Sequence, residues 1–222
     1  MKNIIIICLA ISTFIVAQDT TASVSQEPQL PGWGIYVGGA FGSATSVDDL
    51  PDGHSIESRL IVPNIGVSKG MFLGGVPLIV GAGYHPRGYT YDAEIVTWVG
   101  FQKIEAEYTY HMLDVWASVP YPISNRSILQ AGLLLGTCIG GTEKIDDEEN
   151  DIDDIEGELD YGIILGGGFA ITEHIGVNVG YYIGLAEFND TQTFNGIIFN
   201  IGYNFDASVT PSNKQNAGFE NF

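Results

Sequence analysis

The residues of this 222-residue chain best placed to act together chemically are His85, Arg87, Asp114 and Asp160. Each lies in a stretch where apolar residues alternate with small or polar ones, and each falls on the small or polar side. A guanidinium, two carboxylates and an imidazole sharing one face form a charge network, because ions removed from water are tolerable only when paired. Such a network can lock a fold or relay protons.

A second concentration of reactive groups is acidic. Glu143 to Asp160 holds eleven carboxylates and one cation, Lys144. Asp146, Asp147, Glu148, Glu149, Asp151, Asp153, Asp154 and Glu156 offer the oxygen ligands that calcium and magnesium take, and Asp151, Asp153, Asp154 and Glu156 are the calcium candidates. The run lacks the sixth-position glycine and the spaced glutamate of an EF-hand loop. A charge run of this kind reads first as a solvated, self-repelling surface loop, and no metal is expected.

His54, His85, His111 and His174 are scattered without zinc-ligand spacing. His111 falls on an apolar face, which raises one enzymatic alternative, a lipid-modifying protein with histidine and serine facing lipid. No serine and carboxylate stand at triad spacing, so no enzyme is expected. Gly74-Gly75 and Gly166-Gly167-Gly168 precede no helix and no Gly-Lys-Ser/Thr, so they are not phosphate loops. Cys138 shares a face with Leu134 and Gly136 and reads as a small packing residue. No cofactor is expected. The formal charge of -19 argues against a nucleic-acid partner, and 45% hydrophobic with 11% aromatic residues argues against disorder.

The elements that position these groups are strands. Met1 to Ala17, with Lys2 ahead of the apolar run Ile4 to Ala10, reads as a secretory signal cut before Gln18; it is short of the roughly 20 residues of a spanning helix. Beyond it, period-two alternation recurs. Ile197, Phe199, Ile201, Tyr203 and Phe205 alternate with Ile198, Asn200, Gly202 and Asn204, and comparable stretches begin near Trp33, Arg59, Leu78, Tyr110, Leu129, Leu159 and Ile175. Pro63 removes a ladder donor from the weakest of them, Arg59 to Ser68, so a bulge or a false boundary is expected there. Eight strands of about ten residues suit a tilted crossing of a bilayer. Long connections follow the first, third and fifth strands, around 44–57, 88–104 and 140–157, and short ones follow the second, fourth and sixth.

The expected architecture is an eight-stranded antiparallel up-and-down transmembrane β-barrel. Lipid cannot satisfy polar groups, so such a barrel turns its apolar face outward and closes its hydrogen-bond ladder. Its interior is just wide enough for side chains to fill, which suits the glycine-rich inner face and favours a plug over a pore or proton relay. The predicted organisation is a signal peptide over 1–17, a periplasmic segment over 18–32, the barrel over 33–205 and a polar tail over 206–222.

Three stretches resemble a known family: Gly83-Tyr84-His85-Pro86-Arg87-Gly88 with Tyr89; Tyr110-His111-Met112-Leu113-Asp114-Val115; and Asp160-Tyr161-Gly162 through Gly166-Gly167-Gly168-Phe169, then Gly180-Tyr181-Tyr182 and Gly184-Leu185. Together they resemble the small outer-membrane β-barrel proteins of Bacteroidota, the porin-family or PorT-like barrels, over about Trp33 to Phe205. In that family the second stretch runs Tyr-Leu-Glu-Ile-Pro-Leu; Asp114 stands here in place of the glutamate and Trp116 in place of the proline. Ile201-Gly202-Tyr203-Asn204-Phe205 is similar to the aromatic-ended last strand read by the outer-membrane assembly machinery.

The resemblance implies an outer-membrane location with both termini periplasmic, lipid and the assembly machinery as partners, and no specific activity. The expected role is structural or one of surface interaction through acidic outer loops. A component of an envelope secretion or assembly system, with envelope protein partners, is one alternative; a narrow channel and a soluble lipocalin-type binding barrel are others.

Overall fold

The computed structural model describes residues 32–206 except 47–49, 52, 99, 146–147 and 190–191. The predicted signal peptide, nearly all of the 18–32 segment, and the tail beyond Asp206 lie outside the described residues.

Eight strands close into a ring: β1 (Trp33–Ser46), β3 (Arg59–Leu73), β4 (Val76–Tyr84), β6 (Gly100–Pro122), β7 (Ser127–Ile145), β9 (Leu159–Ala170), β10 (Ile175–Gly184) and β11 (Gln192–Asn204). Each pairs antiparallel with its sequential neighbour in that series. Closure comes from β1 against β11, in register from Gly34↔Asn204 to Ser46↔Gln192. Closure removes the free edge that an open sheet would present.

The side chains follow the alternation. Ile35, Val37, Val115, Leu133, Val179 and Ile201 all point out and are about half exposed, whereas Tyr36, Asp114, Leu134 and Tyr182 point in and are buried. A surface this apolar is stable only in an apolar surrounding. Pro63 stays inside its strand: Val62 and Pro63 bulge against Gly39, because the register steps from Gly38↔Asn64 to Ala40↔Ile61. The predicted bulge is present.

Glycines make room for the large lumen side chains. A Cβ on Gly66 would lie 2.2 Å from Tyr36 Oη, one on Gly81 2.4 Å from the Trp116 ring, and one on Gly162 2.6 Å from the Tyr182 ring. Each of these side chains therefore packs against a glycine of another strand. Gly74 and Gly75, with φ of 59° and 85°, form the two-residue turn between β3 and β4; two successive positive φ values are the geometry of a tight hairpin, which is what this glycine pair does.

The short turns and the first and last described residues share one end of the barrel, the near end; the long connections share the far end. The reading of 88–104 as a connection is corrected. Most of it is β5 (Arg87–Thr97), which pairs with β6 from Arg87↔Tyr110 to Thr97↔Gly100 and extends the barrel wall as a ribbon with Trp98, 97% exposed, at its tip. The two other long connections also carry strands. β2 (His54–Glu57) pairs with β5, and β8 (Glu148–Asp151) pairs with β7.

Candidate functional site

The lumen is built around one row of residues. Asp114 on β6 is in register with Gly136 on β7, which is in register with Asp160 on β9. The glycine between them leaves room for Asp114: a Cβ there would lie 2.1 Å from its Oδ1. On the other side of β6 from β7, His85-Pro86 breaks the run between β4 and β5, both of which pair with β6, since proline lacks the donor a continuous ladder needs. His85 and Arg87 on either side both face inward, and both are buried.

The four residues predicted as a network are thus brought together. Arg87 Nη2 donates to Asp114 Oδ2 at 3.0 Å, Arg87 Nε pairs with Asp160, and Arg87 Nη1 donates to the His85 carbonyl at 2.7 Å. Asp160 is fully buried, Asp114 is 2% exposed and Arg87 7%, so these charges depend on one another rather than on water. The guanidinium also sits 5.0 Å from the Tyr182 ring centroid, a cation–π contact.

Sequence reasoning missed three members. Trp116 Nε1 donates to Tyr36 Oη at 3.3 Å, Tyr36 Oη lies 2.8 Å from His85 Nε2, and His85 Nδ1 lies 2.9 Å from Asp114 Oδ2. Indole can only donate and a carboxylate accepts, so Trp116 donates to Tyr36 and His85 Nδ1–H donates to Asp114, with the Tyr36 hydroxyl and His85 Nε2 joined between them. Tyr182 is the third. All three lie on the inner faces of their strands, and an aromatic opposite glycines was the available signal.

Above this row, toward the far end, an aromatic stopper closes the lumen. Tyr110 packs on Phe188 and Phe194 with ring centroids 5.1 and 5.3 Å apart, Met112 and Cys138 lie beneath, and Gln192 Nε2 donates to Tyr110 Oη at 3.0 Å. Cys138 is buried among these residues, packing as a small apolar residue. The acidic segment takes part. Gly157 N–H donates to Cys138 O and Ile152 N–H to Gly141 O, at 2.8 and 2.9 Å, and they hold Ile155 in the stopper with 1% of its surface exposed.

The picture of this segment as a purely solvated, self-repelling loop is therefore corrected. Glu148, Glu149, Asp151, Asp153, Asp154 and Glu156 are exposed while Ile152 and Ile155 dock, and burying one such aliphatic side chain is worth about 1.5–3 kcal/mol against the charge repulsion. Asp151, Asp153, Asp154 and Glu156 are exposed, and among the described residues no group of three or more His, Cys, Asp or Glu could hold a metal ion. The calcium candidates are not gathered into a site. An Ile155→Asp substitution is expected to undock the segment, seen as rapid cleavage between 148 and 158 by a glutamate-specific protease while the barrel keeps its heat-modifiable gel mobility. A cleavage rate equal to that of the parent would refute the docking.

The remaining histidines serve separate contacts. His54 Nδ1 lies 2.5 Å from Tyr91 Oη, His111 Nδ1 2.6 Å from Tyr84 Oη, and His174 Nδ1 donates to Asn204 O at 2.9 Å. The outward His111, which raised the thought of an enzyme, has a tyrosine as its hydrogen-bond partner. On the ribbon Lys103 pairs with Asp92 at 2.8 Å, and that carboxylate raises the Lys103 ammonium pKa above its ordinary value.

Comparison with known proteins gives a consistent fold. A family model described as outer membrane protein beta-barrel domain matches residues 6–205. Among solved structures, Neisserial surface protein A (NspA) superposes with a TM-score of 0.51 at 12% identity, covering 80% of this chain and 100% of its own. Ail, the attachment invasion locus protein of Yersinia pestis, superposes with a TM-score of 0.45 at 13% identity, covering 79% of this chain and 99% of its own. No curated protein matches by sequence.

Proposed function

From the premise that this chain belongs to the outer membrane protein beta-barrel family and is an integral outer-membrane β-barrel, we propose that it is a closed, non-conducting barrel that anchors in the membrane and displays an acidic surface outside the cell. The obstruction of the lumen carries this reading. The Arg87 cluster fills its middle and the Ile155–Phe188–Phe194 stopper fills its far end, and an eight-stranded ring leaves little width beyond its side chains.

In this reading the near end, with its short turns, faces the periplasm and both termini lie there. Trp33, Tyr203 and Phe205 on its outward face suit a membrane interface, with Lys69 4.8 Å from the Trp33 ring. The ribbon and the acidic segment then stand outside, where Glu148, Glu149, Asp151, Asp153, Asp154 and Glu156 are all exposed. A charged surface of this kind selects partners by electrostatic complementarity more than by apolar area. The role is structural or one of surface interaction, with no catalytic step assigned.

Planar-bilayer recording tests the closed state. Purified refolded protein is expected to give no discrete conductance steps in molar potassium chloride. Reproducible steps of uniform size would overturn it and favour a narrow channel.

A further inference from the structure

We propose that the β5–β6 ribbon and the sheet at its base form a docking surface for a cationic polypeptide segment bearing apolar side chains, anchored on Trp98 and Phe101. The proposal deepens the surface-interaction reading and rests on it, since the far end must face outward for such a segment to reach the ribbon. Trp98 and Phe101, at 97% and 79%, are the most exposed of the large apolar residues described. The protein's own membrane does not cover them. Leu113 is the last outward apolar residue of β6 before the polar positions His111, Thr109, Glu107, Glu105 and Lys103, and from there to Phe101 the strand runs about 40 Å. Aromatic side chains this exposed and this far from lipid mark a contact surface.

The sheet below the tip sets the charge of the partner. Residues directly opposite in an antiparallel pair share a face, so Glu57, Thr90, Glu107, Lys144 and Glu149 form one row across β2, β5, β6, β7 and β8. Period two then puts Asp92, Glu94, Glu105, Lys103 and Phe101 on that same face, between the row and the tip. Arg59 pairs with Glu107 and Lys103 with Asp92, whereas Glu57, Glu94, Glu105 and Glu149 have no ion pair among the described residues. The face is therefore a field of uncompensated carboxylates leading to two aromatic anchors.

That combination complements ammonium or guanidinium groups interspersed with apolar side chains, and a guanidinium also stacks favourably on an exposed indole. An anionic lipid surface is repelled by the same carboxylates, and so is a second copy of this face. Size favours a segment of chain over a folded domain. The five-strand row is about 19 Å wide, and the face narrows to a two-stranded tip, well short of the roughly 800 Å² that a stable interface takes from each partner.

The test uses full-length protein labelled with 5-fluorotryptophan in phosphatidylcholine nanodiscs, where Trp33, Trp98 and Trp116 each give one fluorine resonance. The probes are a short lysine/serine peptide carrying two leucines, the same peptide with serine in place of leucine, and the same peptide with glutamate in place of lysine. The leucine-bearing cationic peptide is expected to shift the Trp98 resonance saturably and leave Trp33 and Trp116 in place. Its affinity should fall about tenfold in Glu94→Gln/Glu105→Gln protein, about tenfold in Trp98→Ala protein followed by calorimetry, and by a similar factor when the leucines are removed.

An unmoved Trp98 resonance overturns the docking surface. So does equal affinity for the glutamate peptide or for either variant, and so does a Trp98 shift produced by phosphatidylcholine vesicles without peptide, which would make the tip a lipid anchor. Both ends of the barrel are accessible in a nanodisc, so the outcome is independent of the bilayer recording: conductance steps with binding intact overturn the closed barrel alone, and a silent bilayer without binding overturns the docking surface alone.

Discussion

Arg87→Ala is expected to lower barrel stability by about 3–5 kcal/mol, the usual cost of removing one partner from a buried ion pair. The loss exceeds that of the side-chain volume because Asp114 and Asp160 would face each other across Gly136 with no cation between them. The measurement is the urea midpoint of the folded band, read from heat-modifiable gel mobility in lipid vesicles. A second variant separates charge from packing: Arg87→Met combined with Asp114→Asn and Asp160→Asn removes all three charges at similar volume, and should recover a substantial part of the loss. Were Arg87→Ala to leave the midpoint unmoved, the ion pairs would contribute nothing to holding the barrel. Were the triple variant no better than Arg87→Ala, packing and not charge would be the cause.

The second large effect concerns glycine. Gly66→Ala would place a Cβ 2.2 Å from Tyr36 Oη and 2.6 Å from the Ala82 carbonyl oxygen. Tyr36 cannot retreat freely because it is tied to His85 and Trp116, and the carbonyl is backbone, so strain of about 1–3 kcal/mol is expected. Gly202→Ala provides the contrast. Its nearest neighbour would be Ile35 O at 3.5 Å, an ordinary contact, so this change should be neutral or stabilise by roughly 0.5–1 kcal/mol through the lost flexibility of glycine in a strand. The same unfolding assay reads both, and similar midpoints for the two variants would remove the claim that lumen rings are seated on particular glycines.

The cluster could be anticipated because period two assigns every residue of a strand to a face. Once Arg87, Asp114 and Asp160 lie on the inner face of a narrow barrel they have nowhere else to go, and the structure places them in contact. The ribbon was harder to see. Tyr89, Tyr91 and Ala93 alternate with Thr90, Asp92 and Glu94 as plainly as any spanning strand, but the expectation of a long connection over 88–104 left no strand there, whereas the chain bends at His85-Pro86 and continues as β5. The acidic segment hid its docking residues for another reason. Ile152 and Ile155 are two apolar side chains among many carboxylates, and no periodicity marks them.

What the amino-acid order determined by itself is which side of each spanning strand meets lipid and that eight strands form the ring, since both follow from local alternation, the length of the runs and the turn residues between them. What only the tertiary structure decided is which inward residues share a level. Stagger between strands set by the closure of β1 on β11, and by the bulge at Val62-Pro63, brings Tyr36 to His85, Ile155 to the aromatic stopper and Asn64 to the pocket beside Asp114. The register of a closed ladder is a property of all its strands at once, and no single stretch of sequence contains it.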